Sequence, residues 1–544
     1  MKKQITKQLI PAAVISEVAE TSRDNEKDLT PERIIERYKK SLEQRQVWES
    51  HWRECYDFAL PRRDGAIVSG SPGEKKTDKL FDGTAPDAVE QLAASLLSEL
   101  TPPWARWFGL IAGNELSDQE SSSLGPQLER ISKVLQSNFD RSNFAVEMHQ
   151  CYLDLVTAGT ASLLMEEASI SESSAFRFTA VPLSQVVLEE SMDGRLDTTF
   201  RRSEMTRPHL LSRFPGADIP EQCSEHERAG GEKKYAVIEA VIPDPSGYAY
   251  KAVLDPEGSD ARSVALLAEG HFRHSPFINF RWLKAPGEIY GRSPVMKALP
   301  DIKTANKVVE LILKNASIAV TGIWQADDDG VLNPANIKLV PGTIIPKAVG
   351  SQGLKALESP GRFDISELVL EKLRVSIRKA LLADKLGQID APKMTATEVL
   401  ERSAEMARLL GATYGRLQSE LLSPLVARSM AILIRRGEIE DIRIDGATID
   451  LEYRSPLARQ QSRQEAQGVL NWFQALTSIG PEAMATINQG AAARWLAKVF
   501  AVPPELIKEA VLGEGVLPPE AMEALSALAP QLAAQEVGVS DVEQ

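Results

Sequence analysis

The chain has 544 residues, 43% of them hydrophobic and 25% charged, which is ordinary for a globular protein and long enough for roughly two to four units with cores of their own. A formal net charge of −14 excludes a protein that wraps nucleic acid tightly, because such binders need positive surface to displace phosphate counterions; passing contact with DNA stays open. Cys55, Cys151 and Cys223 stand far apart without metal-ligand or CxxC spacing, so they read as reduced thiols in a cytoplasmic assembly.

The first 30 residues are polar, of mixed charge, and read as an arm. They lack the apolar run of a signal sequence, and no stretch approaches eighteen apolar residues, so the chain reads as soluble with no membrane partner. Pro31 to Leu60 predicts a helix with Ile34, Tyr38, Leu42, Trp48, Trp52 and Cys55 on one stripe. A loop from Arg62 to Lys79 follows, then a helix from Pro86 carrying Val89, Leu92, Leu96 and Leu97, which Thr101-Pro102-Pro103 ends. Trp104, Trp107 and Phe108 read as core. Helices are expected from Leu124 to Phe139 and from Asn143 to Ala158, the second stopped by Gly159 before a short strand, ASLLME.

Residues 176–282 change texture to short β-type runs (FRFTAVPL, QVVLEE, DTTFRRSEM, KYAVIEAVIP, YAYKAVL, FINFRWL) separated by turns such as Asp193-Gly194. Helix resumes at Pro294, a second β-like excursion starts at Thr321, and helix returns from Ile365 to Lys385. After the loop GQIDAPKM a long helix runs from Thr395 to Arg436, opened by a capping box of Thr395 and Glu398 and stopped at Gly437. Its length would be roughly 60 Å, with a bend expected at Pro424. Beyond Asp450 the tail reads as helical, and no repeat of fixed period is found.

No motif for catalysis emerges. In GSPGEKKT, Gly70 to Thr77, Lys75 stands where a phosphate loop needs its second glycine, and no apolar strand precedes it. Asp327-Asp328-Asp329-Gly330 lacks the spacing and final Glu of a calcium loop and reads as a hairpin tip. Six histidines without HExxH propose no zinc pair, and no GxSxG or Cys/His arrangement suggests a nucleophile. Asp154 and Glu166 have no spacing that singles them out as metal ligands. The expectation is a protein that is not an enzyme, with no catalytic residue, cofactor or metal.

The order of parts from Ile289 to Arg436 is helix, compact β excursion, helix, short loop, long helix: a stalk with a head. Both stalk helices interleave charges (Lys303, Lys307, Lys314, Glu367, Glu371, Lys372, Arg374, Arg378, Lys379) with apolar positions, so each buries a narrow stripe and offers its other faces to water or to further copies. Three segments, LFDGTAPDAVEQLAASLLSELTPPWARWFGL (Leu80 to Leu110), FINFRWLKAPGEIYGRSPVMKALPDIKTAN (Phe277 to Asn306) and MTATEVLERSAEMARLLGATYGRLQSELLSPLVAR (Met394 to Arg428), resemble the head-to-tail connector, or portal, proteins of short-tailed bacteriophages. With matching element order the resemblance spans about Pro31 to Ala501.

The resemblance implies an α+β, mainly α, portal fold assembled as a ring, commonly a dodecamer, at one capsid vertex, with double-stranded DNA passing through its tunnel in packaging and ejection. It implies an N-terminal arm (1–30), a wing (31–293, with the β-rich insert 176–282), a first stem helix (294–320), a clip (321–363), a second stem helix (364–386), a tunnel loop (387–394), a long wing helix (395–436), a wing return (437–489) and a crown with the C-terminal tail (490–544). It also implies a virion protein assembled in the host cytoplasm. Its partners would be further copies of itself, major capsid protein, scaffolding protein, terminase large subunit, a tail adaptor and DNA bound without sequence preference. Lys385, Gln388, Asp390 and Lys393 are candidates to face DNA, by position alone, with solvated loop residues the competing reading. Trp324, Ile344 and Ile345 are candidates for a clip interface, against ordinary core burial. Two other readings stay open: a different multimeric phage protein such as a tail adaptor, and a metal-dependent nuclease.

Overall fold

A computed structural model describes residues 29–61, 79–103, 105–113, 118–217, 234–255, 264–321, 324–325, 355–356, 363–383, 411, 413–440, 449–453, 466, 468–477, 487 and 489–499. The chain divides into two units. One comprises residues 1–97, 137–386 and 415–442, and the other residues 98–136, 387–414 and 443–544.

The first unit starts with helix α1 (Pro31–Ala59), where Pro31 occupies the first turn and the Thr30 hydroxyl accepts the Arg33 amide. The expected stripe is there: Ile34, Tyr38, Trp52 and Cys55 are buried. Burial pushes the Cys55 thiol up to about 12, so it stays protonated and inert. Helix α2 (Thr84–Leu100) begins two residues before the expected Pro86. Helix α3 (Asp118–Arg141) begins earlier than the expected Leu124 and so carries Pro126 inside it. Helix α4 (Phe144–Ala158) ends at Gly159, whose φ of 80° completes a left-handed stop.

The β-type runs are divided between two sheets. Strand β2 (Thr160–Glu167) is central to a three-stranded antiparallel sheet between β3 (Phe176–Val181) and β9 (Phe277–Arg281). Phe139, Phe144, Phe176 and Phe178 cluster beside it, with ring centroids 5.0–6.3 Å apart. The second sheet is an antiparallel meander of β4 (Val186–Glu189), β5 (Thr198–Thr206), β6 (Lys234–Asp244), β7 (Gly247–Leu254) and β8 (Ala265–Phe272). Alternate residues of β6 serve opposite faces, as the two-residue period of a strand requires. Ile238 and Ala240 join Ile34, Tyr38, Val187 and Phe200 of one core, while Tyr235 and Val237 join Leu210 and Phe214 of the other. Leu210 belongs to α5 (Arg207–Arg213), a short helix that the sequence pattern did not predict.

Helix α6 (Pro294–Thr321) and helix α7 (Phe363–Ala380) follow, flanking two short strands, β10 (Trp324–Gln325) and β11 (Lys355–Ala356). Helix α7 stops five residues short of the expected Lys385: Leu381 is fully buried, and Leu382 turns the chain with a positive φ of 58°. The long helix is described from residue 413, so its expected cap at Thr395 and Glu398 lies outside the described residues. Its expected bend is a π-turn, Gln418–Leu422, followed by α8 (Ser423–Arg435). The physical cause is Pro424, which cannot donate to the preceding turn and crowds its carbonyl; a widened turn takes up both effects. Gly437, with φ 72°, closes the helix as expected. The segment Thr413–Arg435 is long and apolar enough to cross a membrane by length and composition, although Arg416, Glu420 and Arg428 interrupt its apolar residues. Its Arg428 is buried within the fold, where backbone carbonyls answer its donors.

In the second unit, β1 (Phe108–Ala112) pairs antiparallel with β12 (Ile449–Tyr453), Leu110 opposite Leu451. The expected helical tail is thus preceded by a strand whose Ile449, Leu451 and Tyr453 alternate along its length. The Leu110 amide donates to Ser132 Oγ of α3 at 2.9 Å, Arg106 pairs with Glu129, and Trp107 and Phe108 are buried against each other as the core reading expected. Residues 468–477 and α9 (Gln489–Val499) are helical, as expected.

Two buried arginines act as braces. Arg45 of α1 donates to the carbonyls of Leu183, Ser184 and Val186 at 2.8–3.0 Å and pairs with Glu49. Arg428 of α8 donates to Met165 O and His274 O at 2.9 and 2.7 Å and stacks over Phe272. Burial, helped by Arg435 nearby, lowers the Arg428 guanidinium to about 10. Arg428→Ala leaves both carbonyls without a donor and opens a void, so it should lower stability by about 2–4 kcal/mol in urea unfolding. Arg428→Lys should recover less than half, because an ammonium lacks the fork that reaches both oxygens.

Candidate functional site

The α6/α7 hairpin and its root form the most distinctive local structure. Near the start of α6, Asp301 accepts a hydrogen bond from Ser376 near the end of α7 at 2.8 Å. At the far ends Trp324 pairs with Ala356, and Gln325 with Lys355, antiparallel. The two helices therefore run in opposite directions with a small β element between their tips. Burial is concentrated at the root: Val295, Leu299, Ile302 and Ala305 of α6 are buried, and of α7 only Leu370 and Ile377 among the described side chains. Lys297, Lys303, Lys307 and Lys314 outnumber Asp301 and Glu310 in α6, and Lys372, Arg374, Arg378 and Lys379 outnumber Asp364, Glu367 and Glu371 in α7. The hairpin helices are net positive within an acidic chain.

The root is fixed by backbone contact and by charge. Ser293 caps α6, its Oγ accepting the Met296 amide at 2.9 Å and donating to Thr157 O at 2.8 Å. Gly159 and Gly291 meet backbone to backbone: a Cβ on Gly159 would lie 2.4 Å from Gly291 O, and one on Gly291 would lie 2.2 Å from Gly159 O. Neither position admits a side chain without moving the other strand of chain.

Beside them Arg281, the last residue of β9, is fully buried. It pairs with Glu420 of the π-turn at 2.7 Å and with Glu190 after β4 at 3.2 Å, and donates to Ile289 O and Gly194 O at 3.0 and 2.8 Å. Its own amide donates to Glu420 Oε2 at 2.9 Å. The planar guanidinium has five donors, and here they tie the long helix, the β4–β5 turn and the loop leading to α6 to one point. Lys284 also pairs with Glu190.

A second clamp holds the segment before α2. Asn306 of α6 accepts the Phe81 and Asp82 amides at 2.6 and 3.2 Å and donates to Lys79 O at 2.9 Å, while Arg374 of α7 donates to Asp82 at 3.0 Å. Parts of all three segments that carried the sequence resemblance thus meet around the hairpin root: Phe81-Asp82, Arg281 with Asn306, and Glu420.

Of the candidate site residues, Trp324 stands in β10, while Ile344, Ile345, Lys385, Gln388, Asp390 and Lys393 lie outside the described residues, as do the runs Gly70 to Thr77 and Asp327 to Gly330. Asp154 accepts a hydrogen bond from Tyr56 and Glu166 one from Arg213, so each has a separate structural partner. Among the described residues no three acidic, histidine or cysteine side chains gather as a metal site. Sequence reasoning passed over Arg281; the available signal was one arginine inside the apolar, aromatic run FINFRWL.

Glu190 allows a test of the root. Burial pushes its carboxyl up, but hydrogen bonds from Lys284 and Arg281 outweigh this and hold it below the ordinary carboxylate value. Such a group adds stability above its unfolded pKa and loses it as pH falls through the lower folded value. Glu190→Gln should therefore cost about 1–3 kcal/mol at neutral pH, and its deficit against the parent chain should close below about pH 4. Urea unfolding across that range measures the gap, and a constant gap would mean that the charge is not what matters.

Residues 31–507 match the family of bacteriophage head to tail connecting proteins. A probable portal protein of Bordetella phage BPP-1 is 26% identical over 501 residues, covering 87% of this chain and 88% of its own length. The portal protein of Salmonella phage epsilon15 is 25% identical over 534 residues, 92% of each chain, and that of Escherichia phage T7 is 22% identical over 405 residues, 72% of each. With the match covering most of its length, the chain belongs to the bacteriophage head to tail connecting protein family.

Proposed function

We propose that this chain is the portal subunit of a short-tailed phage: a protein that assembles with copies of itself into a ring, commonly of twelve, at one capsid vertex. Double-stranded DNA passes through the ring in packaging and ejection. The observation that carries the reading is the family match over residues 31–507, joined to a two-helix hairpin rooted in all three segments of the resemblance. In this reading the α6/α7 hairpin is the stem, residues 321–363 the clip, 387–394 the tunnel loop, and 490–544 the crown and tail. The ring binds major capsid protein and scaffolding protein around its wing, and the clip receives terminase large subunit and later a tail adaptor. It assembles in the host cytoplasm and remains in the virion.

Electrostatics supports a conduit rather than a clasp. Twelve chains of −14 would carry about −170, so few counterions are released by passing DNA and adhesion is weak. The local excess of lysine and arginine on the hairpin supplies contacts that position phosphate without reading sequence. Lys385, Gln388, Asp390 and Lys393 remain our candidates for the loop that faces DNA, and Trp324, Ile344 and Ile345 for the clip interface. The reading assigns no catalytic step to the chain; a motor elsewhere supplies ATP hydrolysis.

Class averages of the purified protein in negative stain should contain closed rings with a central hole, and a stable monomer across a range of salt would sink the proposal. Removing residues 324–361 should leave ring formation intact while motor docking or tail attachment fails; loss of the ring itself would move the main assembly contacts into the clip.

A further inference from the structure

We propose that the cleft between α1 and the loop 287–292 is covered by this chain's own arm, with Leu9 to Ile15 (LIPAAVI) laid along it antiparallel to α1. The cleft has a volume of about 560 Å³, within the range of pockets that hold a ligand, and its walls include Gln44, Val47, Trp48 and His51 of α1 and Tyr290 and Arg292 of the loop. Trp48 and Tyr290 stand 6.0 Å apart, and both pack on the buried Trp52, at 6.1 and 5.0 Å. The Tyr290 hydroxyl accepts the Leu188 amide at 3.1 Å, and Arg292 is held 5.3 Å over the Trp48 ring while paired with Glu288. Burial and the nearby Arg292 keep His51 below the usual histidine value, so its ring is uncharged at neutral pH. Val47 is 79% exposed. An aromatic groove whose charges are already answered suits an extended, proline-containing apolar segment rather than a charged ligand.

The arm holds one such segment. Leu9 to Ile15 is a run without a polar side chain in an arm otherwise rich in charge, and Pro11 disfavours a helix through it and biases Ile10 toward extended backbone. On α1, Lys40, Gln44, Val47, His51 and Glu54 follow at alternating steps of four and three, so they share one face. Val47 lies midway, about 10 Å from Lys40 and from Glu54 along the axis. The arm repeats this pattern with opposite charge: Lys7 and Glu17 flank Ala12 at five residues on either side, about 15 Å each way in an extended chain. In an antiparallel course Glu17 falls toward Lys40 and Lys7 toward Glu54, and the long side chains cover the remaining difference. A parallel course would bring like charges together.

Length favours the arm of the same chain. Val47 stands sixteen residues beyond Pro31, the first residue of α1, about 24 Å along the helix. Fourteen residues lead from Ile15 to Leu29, and a coil of that length spans about 20 Å on average and about 46 Å at most. A tether whose mean span matches the distance gives the highest effective concentration, so an arm rooted at the start of α1 outcompetes a free peptide or the arm of another copy. Seating it takes Val47 and the open face of Trp48 out of water, which is the driving force for the contact.

The test uses the full-length chain with Cys223→Ser; Cys55 and Cys151 are buried. Ala12→Cys is combined once with Val47→Cys and once with Glu36→Cys, which lies on the same face of α1 but nearer the root of the arm. Each protein is treated with a short bismaleimide linker; peptide mass mapping reads links within a chain, and a denaturing gel reads links between chains. An arm that is only tethered links faster at the nearer position 36, because the shorter loop closes more easily. The seated arm should instead link at position 47 at least fivefold faster than at position 36. Equal rates, or a faster reaction at position 36, would overturn the proposal and leave the cleft to some other ligand. Linked dimers in place of links within a chain would overturn it as well, since the occupant would then be the arm of another copy. Ile10→Asp with Val14→Asp, added to the variant linked at position 47, should slow the reaction at least fivefold at unchanged circular dichroism. An unchanged rate would mean that the apolar run is not what holds the arm, and the proposal would fall.

Discussion

A guanidinium shut away from water must have its charge answered where it lies, and the hairpin root is built round that requirement. Arg281 is fully buried, and its partners come from three places far apart in the chain: Glu190, Glu420, and the carbonyls of Gly194 and Ile289. Any one of these groups withdrawn leaves charge or dipole unmatched in a poorly solvated site, at a cost of about 1–3 kcal/mol. The network holds four pieces of chain in one relation: β9, the β4–β5 turn, the loop to α6, and the π-turn of the long helix. A hairpin that projects and buries little along its outer half depends on such a fixed root.

The π-turn belongs to the same constraint. Pro424 forces a departure from regular α-geometry, and the departure falls where Glu420 must present both carboxylate oxygens to Arg281. A proline in a long apolar helix would otherwise be a weakness; here the disturbed turn supplies the acid that the buried arginine needs. Arg45 and Arg428 repeat the theme chiefly with backbone carbonyls, Arg45 keeping Glu49 as a carboxylate partner, so that long-range packing in this unit is pinned by arginine forks where strands and helices cross.

Much of the local structure was legible in the sequence. Helical period and caps gave α1, α4 and the stop at Gly437, and the β-type runs gave most strands. What was not legible depended on distance along the chain. The pairing of Phe108–Ala112 with Ile449–Tyr453 leaves only a faint alternation in each partner, and the division of strands between two sheets leaves none. The family was readable because three spaced segments carried it; the reason they matter together, their meeting at Arg281, Asn306 and Asp82, was not, since a lone arginine in an aromatic strand looks like any other. The candidate DNA and clip residues rested on position in a pattern, a weaker warrant than contact.

The meeting of Gly159 and Gly291 has a consequence for how this protein can change. Most tight contacts between two residues are negotiable, because enlarging one can be offset by shrinking the other. Here both are already the smallest residue, and each faces the other's carbonyl oxygen, which no substitution removes. A side chain gained at either site has no compensating partner at the other, and a double change adds the two clashes. The junction between the turn after α4 and the loop before α6 is therefore a point at which the sequence can drift in neither direction, however freely the surrounding helices exchange their charges.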